Sequence, residues 1–132
     1  MRGQSSTEYI LAMIGLLLTL AALYEVSASM NARLGLMQAQ MEGERAAAQL
    51  GRALEAVSEA GPGAQAAVRL YTSPPQRLML NASDIAVLGA DRPTAAFLRH
   101  LAVLASGANI SANQSVRIYY DSGGEHVEGL GS

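Results

Sequence analysis

The chain has 132 residues, a formal net charge of −2 and no cysteine, so it allows one small domain and excludes disulfides and Cys-based metal or redox sites. Its nine lysine and arginine positions are all arginine and are scattered singly. No basic stripe therefore indicates nucleic-acid binding.

The first element is an apolar segment close to the N-terminus. A short polar stretch ends at Glu8, and an apolar run without proline continues from Tyr9 to Tyr24. A helix needs about 17 to 25 such residues to cross a bilayer. The segment 4–26 therefore predicts a hydrophobic helix of membrane length.

The residues around the start of this run form a specific motif. Gln4, Ser6, Glu8 and Tyr9 follow the order Q-x-S-x-E-Y, and the small residue Gly3 precedes the apolar run. A secretory signal peptide would instead place its small-residue cleavage site after the run. The motif resembles the class III signal peptides of archaeal type IV pilin-like proteins. The resemblance implies that a prepilin peptidase cleaves between Gly3 and Gln4, so residues 1–3 are a cytoplasmic leader.

The resemblance also assigns a role to Glu8, the fifth residue counted from Gln4. It implies that the Glu8 carboxylate pairs with the N-terminal ammonium of Gln4 in a neighbouring subunit of a helical filament. The alternative is that Glu8 is an ordinary acidic residue at the start of a helix, where the helix dipole favours a negative charge, with Ser6 or Thr7 as the helix cap.

Beyond the membrane-length segment, residues 27–60 continue the helical pattern as an amphipathic extension. They contain no proline, and the turn formers Gly61-Pro62-Gly63 follow. We expect one helix over about residues 6–60. An apolar stripe at three- and four-residue steps predicts packing on a core: Met30, Leu34, Met37, Met41 and Ala48, extended by Leu50, Leu54 and Val57.

Small residues recur every four positions in the same half of the helix. Small side chains at this spacing let helix backbones approach closely, which predicts contacts between neighbouring helices. Chance is the alternative, because alanine and glycine are abundant here. We call these positions the small-residue ladder: Gly35, Ala39, Gly43, Ala47 and Gly51.

Residues 64–132 predict a small antiparallel β-rich head, so the expected fold class is α+β. Short apolar runs alternate with turn formers. The segment 94–105 fits either a helix or a strand, and the surrounding pattern favours strand. The other expected strands are 66–71, 77–80, 85–88, 116–120 and 125–128.

Three N-x-S/T sequons begin at Asn81, Asn109 and Asn113. All three lie in predicted loops, where an acceptor asparagine can be reached for N-glycosylation.

The head offers little that resembles catalytic chemistry. His100 lies in an apolar segment and His126 stands between two glutamates, whereas a metal site needs three or four converging ligands. Ser5, Ser6 and Ser58 have no His and Asp pattern around them, and no phosphate-binding glycine loop occurs. We expect no enzymatic activity and no cofactor.

The resemblance to type IV pilins, together with the long apolar helix, therefore implies a structural subunit of an archaeal type IV pilus-like surface filament. Its partners would be further copies of the chain, the prepilin peptidase, the assembly platform and ATPase of the pilus machinery, and the membrane before assembly. Two alternatives stay open: a minor pilin acting as an adhesin at the filament tip, and a non-polymerising bitopic membrane protein whose β domain binds an extracellular ligand.

Overall fold

A computed structural model of the protein describes residues 2–88, 96–99, 104, 106–111 and 113–130. Helix α1 covers Arg2–Ala60, and the strands of the head follow it. The chain divides into two compact units, Met1–Met37 and Gln38–Ser132. The first unit is entirely helical where it is described, and the second joins the end of α1 to the β-strands.

Helix α1 ends where the sequence predicts, at the turn formers that follow Ala60. Gly61 and Gly63 both have positive φ, 84° and 91°, a conformation that side-chain-bearing residues rarely adopt. The Gly61 N–H donates to the carbonyls of Val57 and Ser58, both at 3.2 Å, which closes the last turn. The helix begins at Arg2 rather than near residue 6.

Two antiparallel sheets form the head, which confirms the α+β fold. The first sheet has the strand order β1-β6-β7 and the second the order β4-β3-β2-β5. The strands are β1 Gln65–Arg69, β2 Arg77–Leu80, β3 Asp84–Leu88, β4 Ala96–Arg99, β5 Ala108–Ser111, β6 Ser115–Asp121 and β7 Gly124–Leu130.

Most predicted strands are present with shifts of one or two residues at their ends. Strand β4 lies inside the segment 94–105, as the strand interpretation requires; residues 94–95, 100–103 and 105 lie outside the described part of the chain. Strand β5 was not predicted. It pairs with β2, so that Met79 faces Asn109 and Leu78 faces Ile110.

The core of the second unit lies between the end of α1 and the two sheets. Both sheets contribute alternate inward residues, and the helix contributes one face. The helix members are Ala46, Ala47, Leu50, Leu54 and Val57, and the sheets and loops add Val68, Leu70, Leu78, Leu80, Ile85, Val87, Leu104, Ile110, Val116 and Ile118.

The predicted apolar stripe is only partly a core face. Leu50, Leu54 and Val57 are buried as expected, but Met41 is 55% exposed. At 100° per residue, Met41 lies roughly 180° around the helix from Leu50, so it points away from the core. In the first unit Met30, Leu34 and Met37 are also exposed, so the prediction that they pack on a core is wrong for this single chain.

Candidate assembly surface

The first unit exposes large apolar side chains along its helix. Their exposed fractions run from 42% at Met13 to 78% at Tyr24. Consecutive apolar residues such as Leu16 and Leu17 lie 100° apart, so the apolar character extends around the helix. We call these side chains the apolar helix surface: Tyr9, Ile10, Leu11, Met13, Ile14, Leu16, Leu17, Leu18, Leu20, Leu23, Tyr24, Val26, Met30, Leu34, Leu36 and Met37.

This surface is longer than the hydrocarbon core of a bilayer is thick. The described part of the chain has one helix long and apolar enough to cross a membrane. From Tyr9 to Met37 the helix rises roughly 42 Å at 1.5 Å per residue, whereas the hydrocarbon core of a bilayer is about 30 Å thick. With Tyr9–Val26 in lipid, the apolar side chains from Met30 to Met37 lie outside it.

Polar groups on this stretch are few, and two of its hydroxyls bond to the helix backbone. The Thr19 hydroxyl donates to the Gly15 carbonyl at 2.8 Å, and the Ser29 hydroxyl donates to the Val26 carbonyl at 2.8 Å. These bonds let both hydroxyls enter an apolar environment without an unsatisfied donor. Between Tyr9 and Met37 the only charged residues are Glu25 and Arg33.

The Q-x-S-x-E-Y motif lies in the first turns of α1. Gln4 and Glu8 are one turn apart along the backbone, and Glu8 and Tyr9 are exposed. The expected cleavage point between Gly3 and Gln4 is also helical. The pairing of Glu8 with a neighbouring subunit stays a prediction.

The small-residue ladder divides into an open part and a buried part. Gly35 is exposed, with nothing within 4 Å of the position its side chain would take. Ala39 is half-buried, and Gly43, Ala47 and Gly51 are buried in the second unit. The buried positions let the helix approach its own head closely, whereas Gly35 makes no such contact.

Two hydrogen bonds connect the loop between β1 and β2 to the helix. The Gln76 side-chain amide donates from Nε2 to the Ala39 carbonyl at 2.6 Å. The Ser73 N–H donates to Glu42 Oε2 at 2.6 Å. Inside the loop the Gln76 N–H donates to the buried Thr72 hydroxyl at 3.1 Å. These bonds hold the head beside residues 39–42 of α1.

The three sequon asparagines are exposed but differ in local structure. Asn81 follows β2 in a turn, where its N–H donates to the Asp84 carbonyl at 2.8 Å. Asn109 lies within strand β5, so the prediction that it occupies a loop is wrong. Asn113 adopts a φ of 67°, and its Oδ1 accepts the Thr72 N–H at 3.1 Å. Asn113 thus supports the loop that contacts the helix.

A row of polar and aromatic side chains crosses the outer face of the first sheet. Arg117 donates to Gln65 Oε1 at 2.7 Å and lies 5.7 Å from the centre of the Tyr119 ring. The Tyr119 and His126 rings stack at 5.1 Å. His126 Nε2 lies 3.0 Å from Asp121 Oδ1. Sequence reasoning missed this row because it depends on the β6–β7 register, which pairs Tyr119 with His126.

The Asp121 carboxylate has an altered acidity. The Gly123 N–H donates to its Oδ1 at 2.7 Å, and this bond, followed by the His126 contact, holds the pKa of Asp121 below its ordinary value of 3.8. Asp121 and His126 supply two potential ligands, and the described residues hold no cluster of three or more that could bind a metal. His100 lies outside the described residues.

Comparison with models of known families, with curated proteins and with solved structures finds no match for this chain. Its class therefore rests on its own residues and geometry. They define an α+β protein with a long, apolar, exposed N-terminal helix consistent with membrane association and a small head of two antiparallel sheets.

Proposed function

We propose that this chain is the structural subunit of an archaeal type IV pilus-like surface filament, assembled through its N-terminal helix after cleavage between Gly3 and Gln4. The apolar helix surface is the observation that carries the proposal. It is about 12 Å longer than a bilayer core can cover. Exposed apolar patches of this size on a protein require a partner or a membrane.

Further copies of the chain are the partner that fits this surface best. Helices with apolar residues on all sides can exchange lipid for neighbouring helices with little change in solvation. The same segment can therefore rest in the membrane as a precursor and later form the core of a bundle. Side chains beyond the hydrocarbon core, from Met30 to Met37, leave the apolar part of the membrane but are covered in the bundle, which favours assembly over insertion alone.

Filament growth requires a contact that does not close on itself. A helix that packs against the next copy after an axial shift makes a heterologous contact, which gives a fibre instead of a ring. Glu8 would fix that shift, because a carboxylate in an apolar core is strongly unfavourable without a positive partner. Cleavage after Gly3 would create that partner as the ammonium of Gln4 in the neighbouring subunit.

The proposed path starts with a membrane precursor and ends on the cell surface. A prepilin peptidase would remove residues 1–3, and the assembly platform and ATPase would extract the mature chain into the fibre. The head would face outward, with glycans on the sequon asparagines as a further expectation. No catalytic step or cofactor belongs to this function.

N-terminal sequencing and intact-mass measurement of native surface fibres test the proposal. We expect fibres containing this chain with Gln4 as the first residue. Fibres whose subunits keep Met1 would contradict the processing step. A chain found only in the membrane, monomeric in detergent and uncleaved, would instead support the bitopic alternative, and its restriction to fibre tips would support the minor pilin.

A further inference from the structure

The outer edge of strand β1 presents free backbone groups. Among the residues that the structure describes, the order β1-β6-β7 gives the strand one neighbour. The Leu70 N–H donates to the Gln114 carbonyl and the Tyr120 N–H to the Ala64 carbonyl, which sets the alternation along the strand. The backbone N–H and C=O groups of Ala66 and Val68 therefore point toward β6. The backbone groups of Gln65, Ala67 and Arg69 point away from it.

Little protects this edge from a second strand. The side chains of Gln65, Ala67 and Arg69 are exposed, and their backbone groups bond to no residue that the structure describes. Natural edge strands are usually guarded by proline, by several charges or by a covering segment. Strand β1 has no proline, carries one charged residue, Arg69, and has the small residue Ala67 at its centre.

We propose that β1 pairs antiparallel with β1 of a second copy, about a two-fold axis at Ala67. Ala67 then faces Ala67 of the other copy, and Gln65 faces Arg69 in both directions. Three residues on each strand would exchange about six backbone hydrogen bonds. The two Arg69 side chains start roughly 13 Å apart along the pair, beyond the screening length at physiological salt.

This contact differs from the helix contact of the proposed function. It is isologous, so it closes after two copies and cannot propagate by itself. It also uses only the head and does not depend on cleavage or on the apolar helix surface. If the proposed function holds, heads that pair in this way join two fibres side by side.

Disulfide trapping in the full-length chain in detergent tests the contact. The chain has no cysteine, so Ala67→Cys introduces a single thiol. Directly paired residues lie about 5.5 Å apart, within the range of a disulfide. We expect Ala67→Cys to form disulfide dimers at least tenfold faster than Met79→Cys. Met79 is a matched control because it is 39% exposed but lies on β2, between β3 and β5.

A second substitution separates strand pairing from chance collision. Arg69→Pro, added to Ala67→Cys, removes the Arg69 N–H from the free edge. It removes no bond to β6, because this N–H points away from β6. The Ala67→Cys dimer should then form severalfold more slowly, while circular dichroism and the melting temperature stay close to those of the single variant. Equal rates for Ala67→Cys and Met79→Cys, or no effect of Arg69→Pro in a folded chain, would overturn the proposal. Neither result decides the proposed function, because that function is tested separately by fibre formation and by the mature N-terminus.

Discussion

The side chain of Gln76 occupies the space that a side chain on Gly43 would need. A Cβ built on Gly43 would lie 2.7 Å from Val87 Cγ1 and would overlap Gln76 Oε1. Gln76 is 3% exposed, and its Nε2 is already committed to the Ala39 carbonyl. Gly43 therefore allows the helix to lie this close to its own head, whatever role the small-residue ladder has between subunits.

Gly43→Ala should destabilise the second unit. The new methyl group must displace both Gln76 and Val87, and overpacking of this kind typically costs about 1 to 3 kcal/mol. The higher helix propensity of alanine would offset up to about 1 kcal/mol of that cost. Urea unfolding of the full-length chain in detergent, followed by near-ultraviolet circular dichroism of the tyrosines, measures the difference.

Gly35→Ala is the matched control for this prediction. Gly35 belongs to the same ladder but has open space around it. Its replacement should leave the unfolding midpoint of the head unchanged or raise it slightly, because alanine favours the helix. A loss of stability from Gly35→Ala equal to that from Gly43→Ala would show that the head contact does not explain the effect.

The two usual ways of removing the third sequon should have different effects on stability. Asn113→Gln loses the Oδ1 bond to the Thr72 N–H and places a less suitable residue at a φ of 67°. We expect a loss of about 1 to 2 kcal/mol. Ser115→Ala also removes the sequon, but the Ser115 side chain lies on β6 at a half-buried position and should cost less than about 0.5 kcal/mol.

Unfolding of unglycosylated material made in a bacterial host checks this difference without any glycan present. Equal stability of the two variants would remove the structural role of Asn113. In the native host, glycopeptide mass spectrometry of the wild type reports the occupancy of Asn113, with Ser115→Ala as the unglycosylated control that leaves the loop undisturbed.

Acid should weaken the first sheet through Asp121. Its pKa is lower in the folded chain than its ordinary value of 3.8. The carboxylate therefore contributes stability above about pH 3.8, and this contribution is lost as the pH falls through the lower folded pKa. Asp121→Asn should lower the melting temperature at pH 6, and the difference from the wild type should shrink toward pH 2.5. A difference that stays constant across this range would contradict the prediction.

The parts of the fold governed by local chemistry were predictable from the sequence, and the parts governed by long-range pairing were not. Gly61 and Gly63 end the helix through their backbone conformation, and β6 with its β-branched and aromatic residues is evident locally. Strand β5 is short and polar at Asn109, and it becomes a strand only because β2 lies beside it. The prediction that Asn109 lies in a loop was therefore wrong.

The candidate assembly surface shows the same limit. The apolar run from Tyr9 predicts a helix of membrane length, and the helix is present. A four-residue spacing of small residues, however, suits contact with a neighbouring helix and contact with the chain's own head equally well. Only the position of Gln76 and Val87 shows that Gly43 faces the head.

Leu34→Gln tests whether the apolar surface beyond the bilayer is used in assembly. Leu34 is 55% exposed and lies eight residues past Val26, so membrane insertion should be unaffected. In a helix bundle the glutamine would be buried without a defined partner, which is unfavourable. We expect fibre yield to fall severalfold. Tyr71→Gln, at a 73% exposed residue of the head, should leave the yield unchanged.

Glu8→Gln tests the charge pair that the resemblance implies. Glutamine keeps the size of the side chain and removes the charge, so insertion of the precursor should be unchanged or slightly improved. In the fibre, the ammonium of Gln4 in the neighbouring subunit would lose its partner. Breaking a buried pair from one side typically costs about 3 to 5 kcal/mol, so we expect fibre yield to fall at least tenfold.

Glu25→Gln provides the control, because Glu25 is also exposed on α1 but lies outside the motif. If both variants lower fibre yield equally, the loss is explained by a general effect of charge on the helix and not by a specific pair with Glu8. If Glu8→Gln assembles normally and its fibres begin at Gln4, Glu8 has no pairing role. If the Glu8→Gln precursor stays uncleaved, Glu8 is instead needed for recognition by the peptidase. The mature N-terminus is therefore measured in the same samples.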